Sequence, residues 1–141
     1  MTRYRKTSHT KYDNKFHLVW TTKYRYRVLG KTVSTRLRDL IWQICTELDV
    51  EIVKGHVAFD HVHLLVSVPP HVSISKLMQY VKGKSSRKIQ MEFKEMRQKY
   101  WGKHIWARGY FCATTGAVTE EQIKEYIEEH KEEDEDFTIE A

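Results

Sequence analysis

Two histidines stand one residue apart in FDHVHLLVSVPP, residues 59–70, and a tyrosine and a histidine stand four apart in YIEEH, residues 126–130. Successive side chains on a strand alternate faces, so His61 and His63 share one face, roughly 7 Å apart along it. At that separation two imidazoles can converge on one metal ion. Val62, Leu64, Val66 and Val68 take the opposite face, which is apolar and suited to a core. By spacing alone, the pair is either half of a metal site or two solvated or hydrogen-bonded histidines. On a helix, residues four apart lie together, so Tyr126 and His130 point the same way. A free tyrosine, with a pKa of about 10, is a weak nucleophile. It becomes useful when a metal polarises the group it attacks. His130 would then be a third ligand. The other reading of Tyr126 is a core aromatic beside Ile123 and Ile127.

Two basic stretches accompany these residues. KGKSSRK, residues 82–88, offers Lys82, Lys84, Ser85, Ser86 and Arg87 to phosphate, without the spacing of a P-loop; the alternative is a solvated helix face. TKYRYRVL, residues 22–29, interleaves Tyr24 and Tyr26 with Lys23, Arg25 and Arg27. Stacking rings between positive charges suit single-stranded nucleic acid, although an ordinary basic loop has the same composition. Trp101 and Trp106 are candidates either for stacking on bases or for anchoring a loop.

The charge distribution narrows the partner. Residues 119–141 hold eleven acidic residues against two lysines, a balance of −9, while residues 1–118 hold 22 Lys and Arg against eight acids, or +14. A strongly basic body fits a phosphate-backbone partner. No apolar run approaches the roughly 18 residues of a membrane span, and the basic start MTRYRKTSHT leads into no apolar stretch of a secretory signal, so a cytoplasmic protein is expected. The two cysteines, Cys45 and Cys112, show no metal spacing and are expected to be buried thiols.

Periodicity supplies the elements that must position these groups. Strands are expected over 15–24, 51–59, 61–68 and 107–116, the second and third forming a hairpin around Asp60. Helices are expected over 33–50, capped by Ser34 or Thr35, over 73–96, capped by Ser73, and over 118–134, opened by a Thr119/Gln122 capping box. Residues 99–106 read as a loop. The order βαββαβ plus a helix predicts an α+β, ferredoxin-like antiparallel sheet, with two helices on one face and the other face left for function. The expected organisation is a basic segment over 1–13, one domain over 14–131 and a frayed acidic tail over 132–141.

The succession VWTTKYR, DHVHLLVSVPP, KGKSSRK, WARGYF and EEQIKEYIEEH resembles the single-tyrosine HUH transposases of small bacterial and archaeal insertion sequences, from about residue 14 to 131. The resemblance implies a homodimeric enzyme that cleaves and rejoins single-stranded DNA at hairpin-bearing element ends. It implies that His61 and His63 bind Mg²⁺ or Mn²⁺, and that Tyr126 attacks the scissile phosphate and is left as a 5′-phosphotyrosine. The family commonly carries Gln where this chain has His130. An imidazole there is a softer donor that shifts preference toward Mn²⁺. Two other readings compete: a domesticated relative that processes chromosomal repeat hairpins, and a non-catalytic single-stranded nucleic-acid-binding module. The acidic tail is expected to shield the basic body. Deleting residues 132–141 should therefore tighten binding to random single-stranded DNA at low salt, measured by fluorescence anisotropy; unchanged affinity would remove that role.

Overall fold

The computed structural model describes residues 4–6, 11–114 and 121–129. Alternating residues of Lys15–Thr21 and His61–Ser67 build the two central strands. Leu18 and Trp20 of the first, and Val62, Leu64 and Val66 of the second, are buried on one face. In chain order the elements are a small ribbon, β1 (Arg5–Lys6) and β2 (Lys11–Tyr12), then β3 (Lys15–Thr21), α1 (Lys31–Glu47), β4 (Glu51–Val57), β5 (His61–Ser67), α2 (Ile74–Glu92), α3 (Lys94–Tyr100), β6 (Phe111–Thr114) and α4 (121–129). The four-stranded sheet runs β4-β5-β3-β6, with every neighbouring pair antiparallel. This is the expected ferredoxin-like arrangement, with the β4–β5 hairpin turning at Asp60. No helix among the described residues is long and apolar enough to cross a membrane.

The core lies between the sheet and two helices. Leu37, Leu40, Ile41 and Ile44 of α1 and Leu77, Met78, Val81 and Ile89 of α2 are each nearly inaccessible and pack with the sheet residues above. Their recurrence at three and four residues is what makes each helix one-sided. Ser73 caps α2, its hydroxyl accepting from Lys76 N at 3.1 Å. The cap of α1 is Gly30, not Ser34 or Thr35; those hydroxyls lie inside the helix and donate back to Leu29 O and Lys31 O. The second long helix is not continuous to residue 96. Phe93 takes an extended conformation, ending α2 and starting α3, which itself closes on Trp101 in the left-handed region. Of the two thiols, Cys45 is buried, which pushes it up to about 12, whereas Cys112 is exposed on the edge strand β6. An edge strand has only one neighbour to cover it, and local sequence does not reveal which strand lies at the edge.

Two departures from simple alternation matter for the site. In β4 the pairing shifts between Ile52 and Lys54, so Val53 is an extra residue in the ladder. Uninterrupted pairing from Glu51↔Ser67 would set His56 against Val62. The bulge sets it against His63 instead. The second departure concerns KGKSSRK. Ser85 and Ser86 are buried, and their hydroxyls accept from Trp106 Nε1 at 3.0 Å and Ile105 N at 3.2 Å. Lys82 Nζ donates to Ala107 O and Gly109 O, both at 2.8 Å, and its burial lowers it to about 8. This helix face therefore secures the 103–109 segment, whose Trp106 packs edge-on against Trp20 with centroids 5.9 Å apart. Lys82→Met leaves two carbonyls short of a donor and is expected to cost about 2 kcal/mol. Arg87→Met, on the exposed side of the same helix, should stay within about 0.5 kcal/mol, both read by urea unfolding.

Candidate active site

The face of the sheet away from α1 and α2 carries His17, Val19 and Thr21 from β3 and His61, His63 and Leu65 from β5. Val19 pairs with His63 and Thr21 with His61. Phe111 of β6 also pairs with Val19, and His56 of β4 with His63, so Phe111, Val19, His63 and His56 form one row across four strands. Helix α4 adds Tyr126, whose ring meets that of Phe111 at a centroid distance of 5.6 Å, and the buried Ile127. The tyrosine thus stands at the end of the row that holds His63 and His56, within one chain. Phe111 and His63 are two strands apart, about 10 Å at the usual interstrand spacing. His130, Thr119 and the acidic tail lie outside the described residues.

His61, His63 and His17 each have one ring nitrogen engaged. His61 Nδ1 is 2.8 Å from Asp60 Oδ1. His63 Nε2 is 3.0 Å from His17 Nδ1, and those rings lie 5.3 Å apart. In the His17–His63 contact one imidazole must donate and the other accept. Burial, followed by the charges of His17, His61, His56 and Lys54, pushes His63 below the ordinary imidazole range. Burial does the same to His17. The neutral form thus favoured is the one that carries a lone pair for a metal. Burial by itself would raise the Asp60 carboxyl. The hydrogen bonds from His61 and Arg25, with their charges, more than offset it and hold the group below the usual carboxylate range.

The donor set fits a divalent cation in part. Two imidazoles face the same side, and Thr21 Oγ1, directly opposite His61, is buried without a hydrogen-bond partner among the described residues. A hydrated ion would supply donors to that oxygen. Among the described residues no group of three or more His, Cys, Asp or Glu is gathered for one ion, so a third ligand must come from elsewhere.

The structure divides the basic residues read from the sequence. Lys82, Ser85 and Ser86 turn inward, as described above. Arg25 is committed to Asp60, with Nε at 3.0 Å and Nη2 at 2.9 Å from Oδ2. Lys84 lies over Tyr80 and 3.7 Å from Glu47, and Lys23 over Tyr24. Arg27 is exposed above the Phe59 ring. Arg87 joins Arg97, Lys103, His104 and Met91 around an open groove of about 480 Å³ between α2 and the loop after α3. Trp106 is core, whereas Trp101 is the most exposed large apolar side chain among the described residues. Sequence reasoning overlooked His17, Asp60 and His56. The first was within reach, because the alternation in KFHLVWT already places His17 with Val19 and Thr21. Its partner across the sheet was not.

A histidine strand and a helix-borne tyrosine thus share one face of the sheet, and comparisons with known proteins give the family. Residues 10–130 match the family model described as Transposase IS200 like. The transposase for insertion sequence element IS200 of Salmonella typhimurium is 33% identical over 127 residues, covering 90% of this chain and 83% of that protein. The ISDra2 transposase TnpA of Deinococcus radiodurans is 34% identical over 117 residues, 83% of this chain and 84% of that one. The crystal structure of a candidate transposase from Deinococcus radiodurans superposes with a TM-score of 0.82 at 34% identity, over 89% of this chain and 97% of the other. A REP-associated tyrosine transposase bound to a REP hairpin shares the fold, with a TM-score of 0.53 at 15% identity, over 86% and 68%. The chain belongs to the IS200-like transposase family.

Proposed function

We propose that this transposase cleaves and rejoins single-stranded DNA at hairpin-bearing element ends through a 5′-phosphotyrosine at Tyr126, with Mg²⁺ or Mn²⁺ held by His61 and His63 and completed by His130. The observation that carries the reading is the position of Tyr126 on Phe111, in the row that includes His63. The Tyr126 hydroxyl oxygen forms the new bond to phosphorus, its proton passes to solvent, and the 3′-oxygen of the upstream strand leaves. Rejoining reverses this sequence: a 3′-hydroxyl attacks the phosphotyrosine and the tyrosine oxygen departs, so no nucleotide cofactor is consumed. When bound, a divalent cation supplies charge neutralisation at the scissile phosphate and the leaving oxygen. His61 and His63 would hold it, and burial of His63 favours the neutral imidazole that ligation requires. Lys23, Arg27, Lys84 and Arg87 are the proposed contacts to the DNA backbone, with Arg97 and Lys103 extending the cationic groove. A homodimer is part of the same proposal.

The test is a 5′-labelled or 3′-labelled single-stranded oligonucleotide carrying a hairpin and a cleavable flank from the ends of the element. With Mn²⁺ or Mg²⁺, label 3′ to the cut should migrate with the denatured protein, and label 5′ to it should be released with a free 3′-hydroxyl. Adduct formation in excess EDTA at the same rate would reject the metal. Retention of the opposite label would reject the 5′-phosphotyrosine polarity.

A further inference from the structure

We infer that Arg25 and Asp60 are a positioning pair, in which Asp60 sets the ring of His61 and Arg25 ties that assembly to the tyrosine helix. The inference rests on the function proposed above for His61 and Tyr126. Asp60 sits at the turn between β4 and β5, with its side chain only 9% exposed. Its two oxygens face different partners: Oδ1 meets His61 Nδ1 at 2.8 Å, and Oδ2 accepts from Arg25 Nε at 3.0 Å, with Arg25 Nη2 in ion-pair contact at 2.9 Å. An ionised carboxylate only accepts, so His61 Nδ1 carries the proton of this contact, and in the neutral ring the lone pair is then on Nε2. Metal-binding imidazoles with a carboxylate behind them use this arrangement. The planar guanidinium sets Nε and Nη2 side by side against that one oxygen.

The same guanidinium reaches the other half of the site. Its Nη1 is 3.4 Å from Ile127 O and 3.5 Å from Glu128 Oε1, on the turn of α4 immediately after Tyr126. Arg25 and Ile127 are 102 residues apart, so this link is entirely tertiary. The backbone that carries Arg25 is strained. Tyr24 and Arg25 both occupy the left-handed region, with φ of 59° and 50°, where side chains other than glycine are disfavoured. The strained segment is stapled to the same turn, since Thr22 N donates to Asp60 O at 2.9 Å and Thr22 Oγ1 does so at 3.3 Å. One side chain therefore registers the His61 turn against the tyrosine helix, and its geometry serves no other group among the described residues.

Three readouts test the pair. In the metal-free, DNA-free protein, long-range proton–nitrogen NMR should find His61 protonated on Nδ1. Asp60→Ala should shift the ring toward the Nε2–H form. Asp60→Asn, whose amide oxygen still accepts, should retain more of the Nδ1–H form than Asp60→Ala. Amide exchange over residues 121–129 should accelerate at least tenfold in Arg25→Ala. In Arg25→Lys, which keeps the charge and loses the fork, it should fall between wild type and Arg25→Ala; this variant also serves if Arg25→Ala fails to fold. Calorimetric titration with Mn²⁺ should show a 10- to 100-fold loss of affinity in Asp60→Ala, the usual effect of removing an outer partner of a ligating histidine. An unchanged His61 tautomer in Asp60→Ala, or unchanged exchange of 121–129 in both Arg25 variants, overturns the inference. The tautomer and exchange results are read without metal or DNA. A wild-type protein that bound no Mn²⁺ would thus defeat the proposed function, while these two readouts still decided the structural pair.

Discussion

Tyr126→Phe will bind hairpin DNA as the wild type does and form no covalent adduct. Phenylalanine preserves the ring that meets Phe111 at 5.6 Å and removes only the hydroxyl oxygen. Docking of α4, which also relies on the buried Ile127, should survive, and the melting temperature should shift by no more than a few degrees. The chemical effect is far larger. Without an attacking oxygen no phosphotyrosine can form, and loss of a nucleophile costs on the order of 10⁴- to 10⁶-fold in rate. Denaturing gel electrophoresis of labelled DNA measures the adduct, and anisotropy measures binding. Adduct yield equal to the wild type would assign the nucleophile elsewhere. Loss of binding together with the adduct would show instead that the substitution had disturbed the domain.

His63→Ala carries the second large effect. The ring lies at the centre of the cross-strand row and touches His17 at 3.0 Å. Its removal deletes one of the two proposed strand ligands and leaves His61 as the other. Mn²⁺ affinity should fall by more than about 100-fold, beyond the loss caused by an outer partner. Adduct formation should fall by about 10²- to 10³-fold at fixed Mn²⁺, the scale of losing one stabiliser of transition-state charge. His56→Ala is the matched control. It removes an exposed imidazole from the same row, placed against His63 by the Val53 bulge, and should change neither quantity more than a few-fold. Equal losses in the two variants would mean that the row acts electrostatically and not through ligation by His63. Retention of full Mn²⁺ affinity in His63→Ala would remove that residue from the metal site.

The proposed reaction places two demands on the fold: a nucleophile and a metal pair on one face, and a fixed relation between them. The antiparallel sheet meets the first, since β3 and β5 direct their histidines to the side that α1 and α2 leave uncovered. The second falls to contacts made by α4 with β6 and with Arg25. A short helix of nine described residues, exposed along much of its length, has little burial of its own to hold it. Specific anchors such as Ile127 and the Arg25 fork matter correspondingly more.

The sequence by itself determined the parts that depend on local repetition. Alternation in HVHLLVS separated the histidines from the valine core face, and the three- and four-residue recurrence in α1 and α2 located the helices that cover it. The hairpin at Asp60 and the βαββαβ order followed from spacing, and the succession of motifs carried the family. Tertiary structure decided what depends on register and on contacts between distant segments. The Val53 bulge turned His56 toward His63, and pairing of β3 with β5 brought His17 to His63 across 46 residues. Packing turned Lys82, Ser85 and Ser86 from a surface phosphate motif into the support for the 103–109 segment. Arg25 passed from a basic loop to the link between Asp60 and α4. Periodicity is a property of a few neighbouring residues, so it can be read along the chain. A hydrogen bond between residues 102 positions apart exists only once every intervening element has been placed.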